Sequence, residues 1–262
     1  MIPRADITEW RSRSPWRSDA QVEQDLMISR ALVEVFGNSF LAERLAFRGG
    51  TALHKLFLSP AARYSEDIDL VQIQAGPIGS TLDRLHDVLD PWLGAPALKS
   101  TEEGVTLTYK VESEIPPITP LRLKVEINTR EHISLFGMIK KEYRVATRWF
   151  DGASGITTFT IDELLGTKLR ALYQRRKGRD LFDLWLGITQ GKAEPARIVE
   201  AFLGYIKGEG TRITRSAMQS NLDLKMKHKS FMADIAPLLR PDIQYDPLVA
   251  YSLVSRVVIP LL

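Results

Sequence analysis

The sequence contains no cysteine among its 262 residues. This absence excludes disulfides, thiol nucleophiles and thiolate metal sites, and it is compatible with a reducing cytoplasm. Any metal ion that this chain binds must therefore use oxygen ligands or one of the four histidines.

Long apolar segments are absent as well. A membrane-spanning helix needs about 18 or more consecutive apolar residues, and no stretch of the chain reaches that length. Residues 1–30 contain no long apolar run, so the pattern predicts neither a signal peptide nor a membrane span. We therefore expect a cytoplasmic protein that has no membrane partner. Its 44% hydrophobic content is ordinary for a globular protein with a full core.

The net charge of +3 is small but unevenly distributed. Residues 168–229 contain fourteen Lys and Arg against six Asp and Glu, an excess of eight positive charges, so the remaining residues together carry −5. A basic region beside an acidic one is typical of proteins that bind a polyanion such as RNA. On charge alone, a set of solvated helix faces explains the pattern equally well.

The hydrophobic periodicity divides the chain into two parts. After an opening helix, "DAQVEQDLMISRALVEVFGN", the first part contains alternating stretches typical of strands, namely "GVTLTYKV", "LRLKVEIN" and "EYRVATRWF". A second predicted helix, "STLDRLHDVLDPWLG", precedes these strands and has Ser80 as its predicted cap. From Thr160 the period is helical, and Thr160 with Glu163 forms a predicted capping box. We predict an α+β domain over residues 1–158 and a helical domain over residues 159–262.

Two acids lie one residue apart in the predicted strand "RYSEDIDLVQI". Because strand side chains alternate between faces, Asp67 and Asp69 point the same way. Two close carboxylates repel each other and stay ionised only where a cation or a hydrogen-bond donor compensates. The pair therefore suggests an Mg²⁺ site, with Glu126 on the polar face of "LRLKVEIN" as a third ligand. A lone Asp-x-Asp is more often two solvated acids at a strand end.

The glycines of Gly49–Thr51 lie between a predicted strand and a predicted helix. There the bare backbone can approach a phosphate and the helix N-terminus offers unpaired N–H donors, which predicts a nucleotide site. Lys168 is placed to neutralise charge in a two-metal phosphoryl transfer. Arg179, Asp180 and Asp183 follow. The alternative is structural: Lys168 is a solvated helix residue, and Arg179 pairs with Asp183 on the surface.

The ordered series of these motifs resembles a known family. The stretches G-G-T-A-L, R-x-S-x-D-I-D-L, K-V-E-I-N and K-L-x-A-L-x-x-R-x-x-x-R-D-x-x-D-L occur between Arg48 and Leu184. They are similar to those of the AbiEii-type nucleotidyltransferase toxins, the family that includes the mycobacterial MenT toxins. The resemblance implies a DNA polymerase β-like nucleotidyltransferase fold with a helical C-terminal domain. It also implies the toxin half of a toxin–antitoxin or phage-defence pair, with a cognate antitoxin as partner.

The resemblance also implies residue roles. Asp67 and Asp69 match the family's metal aspartates, and Glu126 matches its third acid. Lys168 matches the essential lysine, and either Asp180 or Asp183 matches the last aspartate. The nucleotide-side candidates are Gly49, Gly50, Thr51, Arg63, Ser65 and Arg179.

The function predicted from the sequence is Mg²⁺-dependent transfer of a nucleotide from an NTP to RNA. The resemblance implies the 3′ acceptor end of tRNA as the acceptor. Transfer to a protein or a small molecule, or a non-catalytic RNA-binding module, are the alternatives. The basic segment favours RNA, and the intact Asp67, Asp69 and Lys168 argue against a module without chemistry. The basic residues predicted to face RNA include Arg175, Arg176, Lys177, Lys225, Lys227 and Lys229.

Overall fold

The structure is a computed structural model that describes residues 2–208, 210 and 212–262. Its internal contacts divide the chain into two units. The first comprises Met1–Ile133 and Met138–Phe159, and the second comprises Ser134–Gly137 and Thr160–Leu262. Within the described residues, no helix combines the length and the apolar character that crossing a membrane requires.

A mixed sheet of seven strands forms the first unit. The strands are β1 Leu45–Arg48, β2 Asp67–Gln72, β3 Ala97–Ser100, β4 Gly104–Glu112, β5 Pro120–Asn128, β6 Met138–Ala146 and β7 Asp151–Phe159. Their order across the sheet is β3-β4-β5-β2-β1-β7-β6. Strand β2 is antiparallel to β1 and parallel to β5, whereas β4 and β5 form an antiparallel hairpin joined by residues 113–119, which include Pro116 and Pro117. The predicted α+β class is confirmed.

Helices complete the first unit. They are α1 Arg4–Trp10, α2 Asp19–Gly37, α3 Ser39–Ala42, α4 Gly49–Leu56 and α5 Gly79–Leu93. Helix α1 packs against α2, and α2 to α5 contact strands of the sheet. The predicted opening helix corresponds to α2, which begins with a capping box between Ser18 and Gln21. Its apolar residues are buried, and the helix contacts β5 and β7. The Gln24 amide of α2 donates hydrogen bonds to the carbonyls of Arg122 (2.9 Å) and Glu66 (3.4 Å), so α2 is fastened to the starts of β5 and β2.

Several sequence-based expectations for this unit were wrong or incomplete. Helix α1 and strands β3 and β7 were not predicted. Strand β7, "DGASGITTF", contains two glycines and few strongly apolar residues, and its extended form is supported by pairing with β6 and with β1. Ser80 does not cap α5, because the helix begins one residue earlier, at Gly79, with Ile78 as its N-cap.

The second unit is helical. Its elements are α6 Ile161–Gln174, α7 Gly178–Thr189, α8 Pro195–Gly208, α9 Arg215–Met226, α10 Lys229–Ala233 and α11 Pro247–Val257, with short 3₁₀ turns at Ala236–Leu238 and Ile259–Leu261. Its core includes contacts of α6 with α7 and α8, and of α7 with α11. The predicted capping box of α6 is only half formed. Thr160 accepts the Glu163 N–H, but the Glu163 carboxylate binds other groups.

The Glu163 carboxylate is buried and accepts four hydrogen bonds within the second unit. Three come from the segment Ser134–Gly137: the Ser134 hydroxyl (3.1 Å) and the N–H groups of Leu135 (2.7 Å) and Phe136 (3.1 Å). The fourth comes from the Tyr205 hydroxyl (2.9 Å). The Glu163 carboxylate therefore holds the segment Ser134–Gly137, which lies between β5 and β6, against the helices of the second unit.

Candidate active site

A row of polar side chains lies across three neighbouring strands of the first unit. Asp69 on β2 is the register partner of Arg48 on β1 and of Glu126 on β5. Asp67 and Asp69 are partly exposed, whereas Ile68 between them is buried. The shared face predicted for the two aspartates is confirmed, and Glu126 lies on the exposed, polar face of β5 as expected.

The electrostatics of this row are unfavourable for negative charge. Burial raises the pKa of Asp67 to about 6, and the neighbouring carboxylates of Asp69, Glu66 and Glu126 contribute to the rise. Lys124, the register partner of Asp67, acts in the opposite direction without cancelling the effect. The row is therefore a place where a cation would stabilise the ionised carboxylates.

Two glycines at the start of α4 make room for site side chains. Gly49 has φ +81°, and a Cβ atom added there would lie 2.0 Å from Asp69 Oδ2. A Cβ atom on Gly50 would lie 2.2 Å from Arg63 Nη2. Both positions need glycine, because the Asp69 side chain occupies the place of a Cβ atom at Gly49 and the Arg63 side chain occupies it at Gly50. The first turn of α4 thus lies against the Asp69 carboxylate.

The other nucleotide-side candidates are held tightly in place. Thr51 is buried, and its hydroxyl lies 2.6 Å from the carbonyl of Asp67 and 2.9 Å from the Ser65 hydroxyl. Arg63 is only 2% exposed and donates from Nη1 to the Tyr64 carbonyl (3.1 Å). The structure thus shows Thr51 fixing the start of β2 next to Asp67. A contact of these residues with a nucleotide stays a prediction.

A polar cavity of about 200 Å³ opens beside the row. Arg48, Asp69, Glu126 and Asn128 are among its lining residues. The Arg48 guanidinium also binds the Glu131 carboxylate, at 2.6 Å. The pairing of Arg48 with Glu131 was not anticipated from the sequence, because the two residues are far apart along the chain.

The main candidate ligands for a divalent metal ion are Asp67 and Asp69. Within the described part of the chain, no three or more His, Asp or Glu side chains are grouped closely enough to form a metal site. The predicted three-carboxylate set is therefore not preassembled, although Glu126 is close enough to raise the pKa of Asp67. Oxygen donors on one strand face with mutually unfavourable charge fit Mg²⁺, which prefers carboxylates and commonly shares its ligand shell with phosphates.

A second charged cluster lies inside the helical unit. Lys168 Nζ on α6 lies 3.0 Å from Asp183 Oδ2 and 3.3 Å from Asp180 Oδ1, both on α7. The Arg175 guanidinium binds Asp180 through two hydrogen bonds of 2.8 Å. Burial alone would raise the pKa of Asp180, but Lys168 and Arg175 outweigh that effect and lower it. The cluster is an ion-pair network around one lysine ammonium.

Comparison with known proteins identifies the family. Residues 30–250 match the model of the family described as nucleotidyl transferase AbiEii toxin, Type IV TA system. The chain belongs to this family. No protein of curated function matches the sequence.

Solved structures share the fold of this AbiEii protein at low sequence identity. MenT4, a nucleotidyltransferase toxin from Mycobacterium tuberculosis H37Rv, matches with a TM-score of 0.65 and 14% identity, covering 98% of this chain and 90% of its own. JHP933 from Helicobacter pylori matches with a TM-score of 0.54, 17% identity and coverages of 94% and 93%. A putative nucleotidyltransferase from H. pylori gives a TM-score of 0.51, 19% identity and coverages of 93% and 95%.

Family membership settles the general activity of the protein. It is a nucleotidyltransferase of a toxin–antitoxin system, and an antitoxin is therefore its expected partner. The predicted resemblance and the predicted enzyme class are confirmed.

The purely structural interpretation of Lys168 and Arg179 was wrong. Lys168 is 7% exposed and lies in the middle of α6, so it is not a solvated helix residue. Asp183 is fully buried against Lys168 and does not form a surface pair with Arg179. The Arg179 guanidinium instead faces Asp234, with Nε 3.7 Å from Oδ2. Whether Arg179 also contacts a nucleotide stays a prediction.

The structure separates the predicted RNA-facing residues into two groups. Lys225 is 8% exposed and donates to the carbonyls of Leu172 and Tyr173 at the end of α6, and burial lowers its pKa to about 8. Its assignment to an RNA-facing surface was wrong, since the ammonium is used inside the unit. The exposed basic residues are Arg175, Arg176, Lys177, Lys227 and Lys229.

The exposed basic residues come together as one patch. Arg176 Nη1 lies 3.1 Å from His228 Nε2, which brings the segment 176–177 next to the segment 227–229. We call the four residues Arg176, Lys177, Lys227 and Lys229 the basic patch. Arg175 is left out because its guanidinium is committed to Asp180.

Proposed function

We propose that this AbiEii protein is an Mg²⁺-dependent toxin that transfers a nucleotide from an NTP to RNA, with the 3′ acceptor end of tRNA as the acceptor. The observation that supports this function most directly is the pair Asp67 and Asp69 on one face of β2, with Glu126 in register on β5. A role in phage defence and a location in the cytoplasm belong to the same proposal.

The carboxylate row provides the ligands for the metal. Asp67 and Asp69 would hold Mg²⁺, and Glu126 would complete the oxygen ligand set. When bound, the ion neutralises charge on the triphosphate and lowers the pKa of the attacking hydroxyl. The α4 N-terminus next to Asp69 adds N–H donors for phosphate oxygens. Gly49 and Gly50 allow this approach because neither has a side chain.

Lys168 is the proposed cation toward the triphosphate. Asp180 and Asp183 fix its ammonium from two sides, so little side-chain freedom is lost when the ammonium acts on a substrate. Arg175 in turn fixes Asp180. A preorganised cation of this kind typically contributes a few kcal/mol, or about a hundredfold or more in rate.

The basic patch supports RNA as the acceptor. Its four exposed cations come from two neighbouring segments and would bind a phosphate backbone, although Lys177 Nζ also lies 3.8 Å from Asp234 Oδ1. A protein or small-molecule acceptor gives this patch no evident role, which is why RNA is preferred over those acceptors.

The test is incubation of the purified protein with labelled NTPs and, separately, with tRNA, other cellular RNA and a protein extract. Label is expected on tRNA with wild type and on no acceptor with Asp69→Asn. Label on protein or on a small molecule alone would replace RNA by that acceptor.

The basic patch is tested by reversing the charge of its four residues to glutamate. Binding of tRNA should weaken, and the slope of log affinity against log salt should become shallower by about 0.9 for each phosphate that the variant no longer neutralises. Lys99→Glu, at an exposed lysine of the first unit, is the matched control and should leave the slope unchanged. An unchanged slope in the patch variant would leave the patch without a role in RNA binding.

A further inference from the structure

A second cavity in the first unit is separate from the carboxylate row. It has a volume of about 500 Å³ and shares no lining residue with the cavity beside Asp69. Residues of α2, the end of α5 and the loop between β4 and β5 form its walls, including Glu23, Met27 and Trp92. Trp149, which lies between β6 and β7, lines it as well. This volume is within the range of pockets that bind small molecules, about 300–1,000 Å³.

A buried carboxylate lines this cavity. Glu23 on α2 is only 3% exposed, and its Oε2 accepts the Glu114 N–H at 2.9 Å. In the part of the chain that the structure describes, this is the one hydrogen bond recorded for the Glu23 side chain. Burial raises the pKa of Glu23, and the neighbouring Glu114 carboxylate adds to the rise. The Glu114 N–H and the positive charge of the chain's amino terminus act in the opposite direction without cancelling the effect. A buried carboxylate with so few partners is costly unless a cation or further donors compensate it.

The rest of the lining favours a positive ligand with an apolar body. Glu112 and Glu114 add negative charge at the cavity, and Arg4 is the one lining cation among the described residues. Trp92 and Trp149 form an edge-to-face pair with ring centroids 5.7 Å apart. Aromatic walls next to carboxylates attract organic cations through their ring faces.

The same two tryptophans already bind a cation within the fold. The Arg30 guanidinium lies 4.2 Å from the Trp92 ring centroid and 4.5 Å from that of Trp149. Arg30 therefore occupies one position over these rings. Because Arg30 does not line the cavity, a ligand there would contact other parts of the two rings. Met27 and the buried Leu93 supply further apolar wall.

We infer that the cavity lined by Glu23, Trp92 and Trp149 binds a small organic cation, a primary amine or guanidinium on an apolar chain or ring, with Glu23 as its counter-ion. A nucleotide or another anion does not fit, because the lining carries more negative than positive charge. A neutral apolar molecule fits the walls but leaves the Glu23 carboxylate uncompensated. This ligand site does not depend on the proposed acceptor of the transfer reaction.

The experiment is calorimetric titration of the full-length protein with three ligands of similar shape. Phenethylamine is the cationic probe, 2-phenylethanol the neutral one and 3-phenylpropionate the anionic one. The amine should bind at least about tenfold more tightly than the alcohol, because ion pairing and ring contacts add to apolar burial. The anion should show no measurable binding.

Two cavity variants and one matched control complete the test. Glu23→Gln keeps the shape and should weaken amine binding by about tenfold or more while leaving alcohol binding unchanged. Met27→Trp keeps the carboxylate, fills the cavity and should abolish binding of the amine. Asp83→Asn, at an exposed acid on α5 outside the cavity, should bind like wild type.

Far-UV circular dichroism establishes that each variant is folded, and Met27→Trp provides the test if Glu23→Gln does not fold. The inference is overturned if wild type does not bind the amine, or if amine and alcohol bind equally. It is also overturned if a folded Glu23→Gln or Met27→Trp variant keeps the wild-type affinity for the amine.

Discussion

The stability of the first unit should depend on pH through Asp67. Its pKa in the folded protein is about 6, against 3.8 for an ordinary aspartate. Folding therefore favours the protonated form, and the free energy of unfolding falls as the pH rises from about 4 to about 6. A difference of about two pH units corresponds to at most about 3 kcal/mol. Asp67→Asn removes this titration, so the variant should become about 2–3 kcal/mol more stable than wild type at pH 7.

The assay is urea denaturation of wild type and Asp67→Asn between pH 4 and pH 7. Other carboxylates titrate in both proteins, so the difference between the two isolates Asp67. The two proteins should be equally stable near pH 4 and diverge as the pH rises. Adding Mg²⁺ at pH 7 should stabilise wild type more than the variant, because a bound cation compensates the ionised pair. A stability difference that does not change with pH would refute the electrostatic reasoning.

Three further predictions concern the glycine turn and the two buried clusters. Gly49→Ala should reduce the initial rate of nucleotide transfer by about a hundredfold or more, because its Cβ would displace the Asp69 carboxylate from the position that orients the reacting groups; wild-type rates would show that this packing is irrelevant to activity. Lys168→Ala should lower the free energy of unfolding by about 3–5 kcal/mol in urea, since two buried carboxylates lose their ammonium; an unchanged midpoint would contradict the observed network. Glu163→Gln should lower the free energy of unfolding by about 2–4 kcal/mol, because an amide cannot accept all four hydrogen bonds. The same variant should speed hydrogen exchange at the amides of Leu135 and Phe136. If these amides stay protected, other contacts hold the segment.

Local patterns in the sequence were sufficient to predict which face of each strand the acidic residues occupy. The alternation of side chains along a strand is a property of two or three residues, so Asp67, Asp69 and the polar face of Glu126 could be predicted directly. The register that places Glu126 opposite Asp69 could not, because it depends on which strands are neighbours in the sheet.

Tertiary contacts determined the features that sequence reasoning missed. Gly49 was expected to admit a phosphate, but its packing against Asp69 depends on how β2 lies beside α4. Lys225 was counted as a surface charge, yet it donates to carbonyls at the end of α6. A count of charges along the chain does not distinguish a solvated lysine from one that caps a helix. For the same reason the pairing of Arg175 with Asp180 was not predicted.

The proposed function requires that the Asp67 and Asp69 pair supports transfer of a nucleotide to tRNA. The most direct measurement is the amount of labelled nucleotide joined to purified tRNA by wild type and by Asp69→Asn, both shown to be folded, in the presence of Mg²⁺ and each NTP in turn. Label at the 3′ end of tRNA with wild type, and none with the variant, is the predicted result. Equal labelling by the two proteins would contradict the assigned site, and the absence of label with wild type for every NTP would contradict tRNA as the acceptor.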